Sequence, residues 1–226
     1  MTFSILAYDP ITESYGGASA TGNICVGGWV LRGNPLSGVS ASQGSEPSTL
    51  WGEDILKYTG DGLDAESAIN KTIGNDKGKE RRQLSVIDKK GNSCVFSGKE
   101  NSSIIDEIVS KNLVLSGNIL SNRNVLNSMK EKYFEYKDKD LLWRLFSALQ
   151  GGNNAGGDKR GIYSASILIV SQNSPPISLR VDYSSNPLKK LEELINKINT
   201  KEYTNWLNSL PVVSDPYRNH QSQKDN

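Results

Sequence analysis

Apolar side chains alternate with smaller or polar ones from Phe3 to Tyr8. After the turn-forming run Asp9-Pro10-Ile11-Thr12-Glu13, the stretch Tyr15 to Thr21 returns as a second strand. The chain therefore opens on a hairpin. The return strand carries Gly16, Gly17, Ala18, Ser19 and Ala20, which allows either close packing against another layer or room for a ligand beside the first strand. Beyond Gly22-Asn23, Ile24 to Leu31 is apolar and interrupted by two glycines, and Leu36 to Gln43 predicts a further strand ending at Gly44. The first 44 residues read as mostly sheet. From Ser48 the apolar spacing becomes helical through Leu50, Ile55 and Leu56, breaks at Gly60-Asp61-Gly62, and resumes behind an Asp64 cap as far as Ile73.

Strand patterns return at Arg82 to Asp88 and Ser93 to Gly98, joined by the hairpin loop Lys89-Lys90-Gly91-Asn92. Glu100 to Ser110 has no decisive period; Asn112 to Ser116 reads as a strand, and Gly117-Asn118 as a turn leading to a helix from about Asn122 to Tyr136. Asp140 to Gln150 has a strong apolar face and is expected to end at Gly151-Gly152, with a loop to Gly161. Tyr163 to Ser171 and Ile177 to Tyr183 then form a hairpin across Ser174-Pro175-Pro176, and Pro187 to Asn199 a last helix. Strands and helices come in separate blocks, so the predicted class is α+β, with two antiparallel sheets face to face between helical layers. One domain is expected over residues 1–212, followed by a polar tail, 213–226, without fixed structure.

Charge narrows the partners. Lys and Arg number 26 against 25 Asp and Glu, a net charge of +1, which gives no basic face for nucleic acid or a membrane surface. The start of the chain has no basic segment leading into an apolar run, and no stretch approaches the roughly 18 apolar residues of a membrane span, so a soluble, cytoplasmic protein is expected. Cys25 and Cys94 lack C-x-x-C spacing and are expected to be small buried residues. The one histidine, His220, lies in the polar tail, which argues against Ser-His-Asp triads, Cys-His dyads and histidine zinc sites. Phosphate-binding glycine loops are also absent, and neither cofactor nor metal is expected.

A hydrolase without imidazole needs another base. The chain begins Met1-Thr2, and methionine is trimmed when a small residue follows it, which would give Thr2 a free α-amine. Such an amine has an ordinary pKa of about 7.7–8.0 and can accept the proton of the adjacent hydroxyl. Many chains begin Met-Thr for no catalytic reason.

Several further features, in order, resemble the bacterial and archaeal domain of unknown function 1028 family. They are Thr2-Phe3-Ser4-Ile5 with Asp9-Pro10, Val26-Gly27, Gln43 at its strand end, Arg82-Gln83, Gly117-Asn118-Ile119-Leu120, the Gly156 to Gly161 loop with Ser164-Ala165, and Leu179-Arg180-Val181-Asp182. They span roughly residues 2–198. That resemblance implies a four-layer αββα sandwich like that of N-terminal nucleophile hydrolases, with the first residue at the mouth of a cleft between the sheets.

Carried onto this chain, the resemblance implies Thr2 as nucleophile and the Gly44 N–H as an oxyanion donor; a plain strand-to-helix turn is the alternative reading of Gly44. Asn118 would orient substrate or cap a helix. Gln43, Asp158, Arg160 and Ser164 would complete the substrate site, against an ordinary solvent loop with an Asp–Arg pair. Arg82 would contact a substrate carboxylate or pair with an acidic residue such as Asp182. Proteasome-type relatives carry a lysine near the nucleophile, whereas here no lysine occurs between Met1 and Lys57, and Arg32 is the only basic side chain in that stretch. Asp182-Tyr183-Ser184 also stands where the family tends to have Asp-Asp-His. The leading expectation is hydrolysis of an amide-like bond in a small molecule or short peptide. The alternative is a non-catalytic protein binding a small anionic or amide ligand in the inter-sheet cleft. A homodimer is the assembly expected from relatives of the fold.

Overall fold

The computed structural model describes residues 2–101 and 104–219. In chain order, the first elements are β1 (Thr2–Asp9), β2 (Ser14–Thr21), α1 (Val26–Trp29), β3 (Leu31–Asn34), β4 (Gly38–Gly44), α2 (Thr49–Gly60) and α3 (Ala65–Ile73). A 3₁₀ turn, Lys79–Arg81, precedes β5 (Arg82–Asp88), β6 (Ser93–Ser97), β7 (Ile104–Ser110) and β8 (Leu113–Leu120). Then come α4 (Asn124–Glu135), α5 (Leu141–Asn154), β9 (Ser164–Ser171), β10 (Ile177–Val181), α6 (Pro187–Ile198) and α7 (Lys201–Asn208). Among the described residues the strands form two antiparallel sheets, one ordered β10-β9-β2-β1-β8-β7 and one ordered β3-β4-β5-β6.

The alternation in β1 decides how the layers meet. Phe3, Ile5 and Ala7 face α4, α5 and α6 and join the largest apolar core with Leu126, Met129, Leu145 and Leu191. Leu6, from the intervening positions, faces the four-stranded sheet and packs with Leu31, Val39, Ile87 and Val114. A third core, of Trp51, Ile55, Ile69, Leu84 and Val86, lies between that sheet and helices α2 and α3. Burying each large side chain of this kind stabilises the fold by about 1.5–3 kcal/mol. Ser48, Asp64 and Asp140 cap their helices by accepting from Trp51, Ser67 and Trp143.

Three expectations change, and one stretch without a decisive period finds its place. Ile24 to Leu31 is not a strand throughout: Cys25 takes a left-handed conformation (φ 61°) and starts the short α1, and β3 begins only at Leu31. The Gly117-Asn118 turn does not form; β8 continues through both residues, because β1 on one side and β7 on the other supply its hydrogen-bonding partners. Helix α5 runs through Gly151-Gly152 to Asn154, since a Cβ at Gly151 would stand 2.5 Å from the Ser128 carbonyl oxygen on α4. The two glycines permit a helix crossing rather than a stop. The ambiguous stretch before Ser110 supplies β7, which pairs with β8.

α7 is an element the apolar pattern did not predict, and none of its residues is buried. Cys25 and Cys94 are free and half-buried rather than fully enclosed. Within the expected tail, the Ser214 N–H donates to the Gln172 carbonyl at 3.0 Å; His220 lies outside the described residues. No helix among the described residues is long and apolar enough to cross a membrane.

Candidate active site

One row of side chains runs across four adjacent strands. Thr2 on β1 pairs with Asn118 on β8 and with Thr21 on β2, and Thr21 pairs in turn with Ser164 on β9. All four belong to the alternate positions that face the smaller sheet, one residue out of phase with Phe3 and its helix-facing neighbours. The Thr2 N–H donates to Asn118 Oδ1 at 2.9 Å, and the Thr2 hydroxyl donates to the Thr21 hydroxyl at 3.2 Å.

Asn118 sits at a break in strand register. On β7 one residue separates the partners Ile104 and Asp106, while on β8 two, Asn118 and Ile119, separate Leu120 and Gly117. Ile119 is forced to φ 54°, a conformation that a β-branched side chain rarely takes and that costs on the order of 1–3 kcal/mol. The bulge therefore aims Asn118 at Thr2 against a local penalty. Asn118 is completely buried, and its Nδ2 has no partner among the described residues.

Beneath Thr2 the two sheets are joined by hydrogen bonds rather than by apolar contact. Gln43 Nε2 donates to the Thr2 carbonyl at 3.3 Å and to Gln83 Oε1 at 2.7 Å, while Gln43 Oε1 accepts from Ser4 at 2.9 Å. Ser116 continues the network to Ser4 at 3.1 Å and to Ser85 at 2.8 Å. Each of these polar side chains is buried and satisfied, which holds the first strand in one position.

Thr2 opens onto a cavity of about 360 Å³ at the edge of the sheets. Thr2, Thr21 and Gln43 form its inner end, Gly44, Ser45 and Pro47 one side, and Asn23, Ile24, Val26, Trp29 and Val30 the other. Gly44 has φ 135°, and a Cβ there would meet the Arg81 carbonyl oxygen at 2.6 Å, so this wall needs glycine. The opposite wall is α1. It is fastened by the Ser164 hydroxyl, which accepts from the Val26 N–H at 3.1 Å and donates to the Asn23 carbonyl at 2.7 Å. The Cys25 N–H adds a bond to the Asp182 carbonyl at 2.8 Å.

The structure thus brings Thr2, Gln43, Gly44 and Asn118 together, with Ser164 behind the cavity wall rather than in it. Asn118 caps no helix, because it lies inside β8. Three sequence candidates stand elsewhere. Arg82 does not reach Asp182; it pairs with Asp76 at 2.6 Å and lies over the Trp51 ring. Asp158 is no solvent residue: its fully buried side chain accepts from the Gly22 and Arg160 N–H groups and pins the end of β2. Arg160 turns back onto Asp158 at 3.0 Å. Arg32 pairs with Glu53 at 3.4 Å and is not among the lining residues.

The sequence reading missed Thr21 and the α1 wall. Thr21 was within reach: pairing Tyr8 with Tyr15 across the first turn puts Thr21 opposite Thr2, because antiparallel partners separate one for one. No local signal marks Ile24, Val26 and Trp29 as a wall.

The chain matches the family of unknown function DUF1028 over residues 2–191. It belongs to the DUF1028 family. The crystal structure of protein SPO2555 from Silicibacter pomeroyi, also assigned to DUF1028, is 42% identical and covers 96% of this chain and 98% of that chain, with a TM-score of 0.89. No curated protein matches. Among the motifs that carried the resemblance to DUF1028, Thr2, Gln43 and Asn118 meet at one point of the fold, whereas Arg82 and the Gly156 to Gly161 loop serve its framework.

Proposed function

We propose that this DUF1028 protein is a hydrolase of amide-like bonds built as an αββα sandwich of the N-terminal nucleophile type, with Thr2 as nucleophile once Met1 is removed. The observation that carries this reading is the placement of Thr2 at the inner end of the cavity, with its hydroxyl directed at Thr21 and its nitrogen held by Asn118.

In the mature chain the Thr2 nitrogen is an amine. One N–H stays on Asn118 Oδ1, and the lone pair takes the hydroxyl proton as Oγ1 attacks the substrate carbonyl. The oxyanion formed is stabilised by the Gly44 N–H on the cavity wall. Collapse of the tetrahedral intermediate breaks the C–N bond. The leaving amine takes the proton from the Thr2 ammonium, and an ester remains on Oγ1. Water, deprotonated by the same amine, then hydrolyses the ester and restores Thr2. Among the described residues no lysine lines the cavity, so an uncharged acceptor, Asn118, does the positioning that a lysine does in proteasome-type enzymes.

Intact mass is the first test: a protein that retains Met1 has no Thr2 amine, and the mechanism fails. For the mature form, an acylating amide or ester probe should add its acyl mass to the peptide that starts at Thr2. Thr2→Ala should abolish labelling and turnover while the fold is kept. Unchanged turnover in that variant would move the nucleophile elsewhere, and stoichiometric binding without turnover would favour a ligand-binding role.

A further inference from the structure

We infer that the cavity selects a small, uncharged, largely apolar acyl group and rejects the charged analogue of the same size; this rests on the hydrolase reading for the chemistry, although not for the selection. None of the described side chains lining the cavity carries a charge. The charged side chains nearest in sequence or across the sheet are committed elsewhere. Glu46, between two wall residues, pairs with Arg81 at 3.0 Å, and Arg180, packed against α1, pairs with Asp182 at 2.9 Å. Apart from the Thr2 amine, which must be uncharged to act as the base, a carboxylate or ammonium entering this space would lose hydration and meet no counter-ion.

The apolar side points the same way. Ile24 and Trp29 are 59% and 53% exposed, and both line the cavity together with Val26, Val30 and Pro47, so their apolar surface is gathered at one place. At the inner end, the Gln43 amide is already engaged by Thr2, Gln83 and Ser4, so the polar groups there hold the nucleophile rather than offer a second recognition point. A volume of about 360 Å³ lies at the small end of ligand pockets, which run to about 1,000 Å³. It suits a short aliphatic or single-ring acyl group better than a length of peptide.

The test compares hexanamide with two chain-matched charged amides, 6-aminohexanamide and the monoamide of adipic acid. Binding is measured by calorimetry on Thr2→Ala, which cannot turn over, and hydrolysis is measured separately on the mature native protein. Hexanamide should bind at least about tenfold more tightly than either charged amide. Trp29→Ala should weaken hexanamide, and Trp29→Lys should improve the adipic monoamide relative to hexanamide. Equal or tighter binding of a charged amide, or no binding of hexanamide at millimolar concentration, overturns the inference. Selective binding without hydrolysis by the native protein leaves the inference standing and removes the hydrolase reading; preferential hydrolysis of a charged amide does the reverse.

Discussion

Thr2 and Asn118 face each other across the β1–β8 ladder, and the Asn118 side-chain oxygen, rather than a strand carbonyl, accepts the Thr2 N–H at 2.9 Å. The residue proposed to attack is thus oriented by a side chain placed by a strained bulge.

Replacing that side chain exposes what it does. Asn118→Ala leaves the Thr2 N–H without its acceptor in a buried site and should cost about 1–3 kcal/mol in urea unfolding. Turnover should fall through kcat more than through KM, as expected of a group that positions the nucleophile, and Asn118→Asp, which restores an acceptor, should recover stability better than Asn118→Ala does. A wild-type unfolding midpoint for Asn118→Ala would mean that the bond contributes nothing.

Arg82 makes the opposite case. Its guanidinium is held by Asp76 at 2.6 Å and by the Trp51 ring, on the far side of β5 from the cavity. Arg82→Lys should leave kcat/KM within about twofold of wild type while lowering thermal stability, since lysine cannot reproduce the planar contact with Trp51. A large loss of activity at full stability would place Arg82 in the substrate site.

The two glycines inside α5 test packing against helix propensity. Glycine to alanine in a helix ordinarily gains about 1 kcal/mol, but a Cβ at Gly151 would meet the Ser128 backbone oxygen at 2.5 Å. Backbone cannot swing away as a side chain can, so overpacking, about 1–3 kcal/mol, wins and Gly151→Ala should lower Tm. Gly152→Ala meets the flexible Met129 side chain first, at 2.7 Å, and should be the milder change.

Alkaline pH should loosen the fold. Burial pushes the Tyr133 phenol up to about 12, with the nearby Arg144 opposing the shift and Asp9 adding to it; burial likewise raises Tyr15 to about 12. In the unfolded chain both titrate near 10. Between those values the unfolded state loses protons that the folded state keeps, so stability is fully present below pH about 10 and declines as the pH rises toward 12. Urea midpoints measured from pH 9 to 11.5 should show this decline, and Tyr133→Phe should flatten it.

The fold was legible where the signal is local. The opening hairpin, the helix that begins after Ser48, the Asp64 cap and the Pro187 helix start all follow from residues within a few positions of one another, and they appear where the pattern puts them. Glycine misled twice, at Gly117 and at Gly151. In both places its backbone freedom is available, but what the fold uses is its missing side chain: a Cβ at Gly117 would meet Leu120 at 2.6 Å. Charge also misled. Asp158, Arg160 and Arg82 have the chemistry of binding residues, yet each is matched with a partner that holds a turn or a helix end.

What the sequence by itself determined was the α+β class of the protein, the hairpin that carries Thr2, and the position of its one histidine near the end of the chain, because composition and short-range periodicity are properties of the chain alone. Only the tertiary structure decided that Asn118 stands beside Thr2 rather than at the start of a helix, and that α1 walls a cavity lined, among the described residues, by no charged side chain. Those relationships depend on the register of β8 against β1, 116 residues apart at the Thr2–Asn118 bond, and on a Ser164 bond across 138 residues. Register over such distances is set by the packing of two sheets and three apolar cores, and no stretch of the chain carries that information locally.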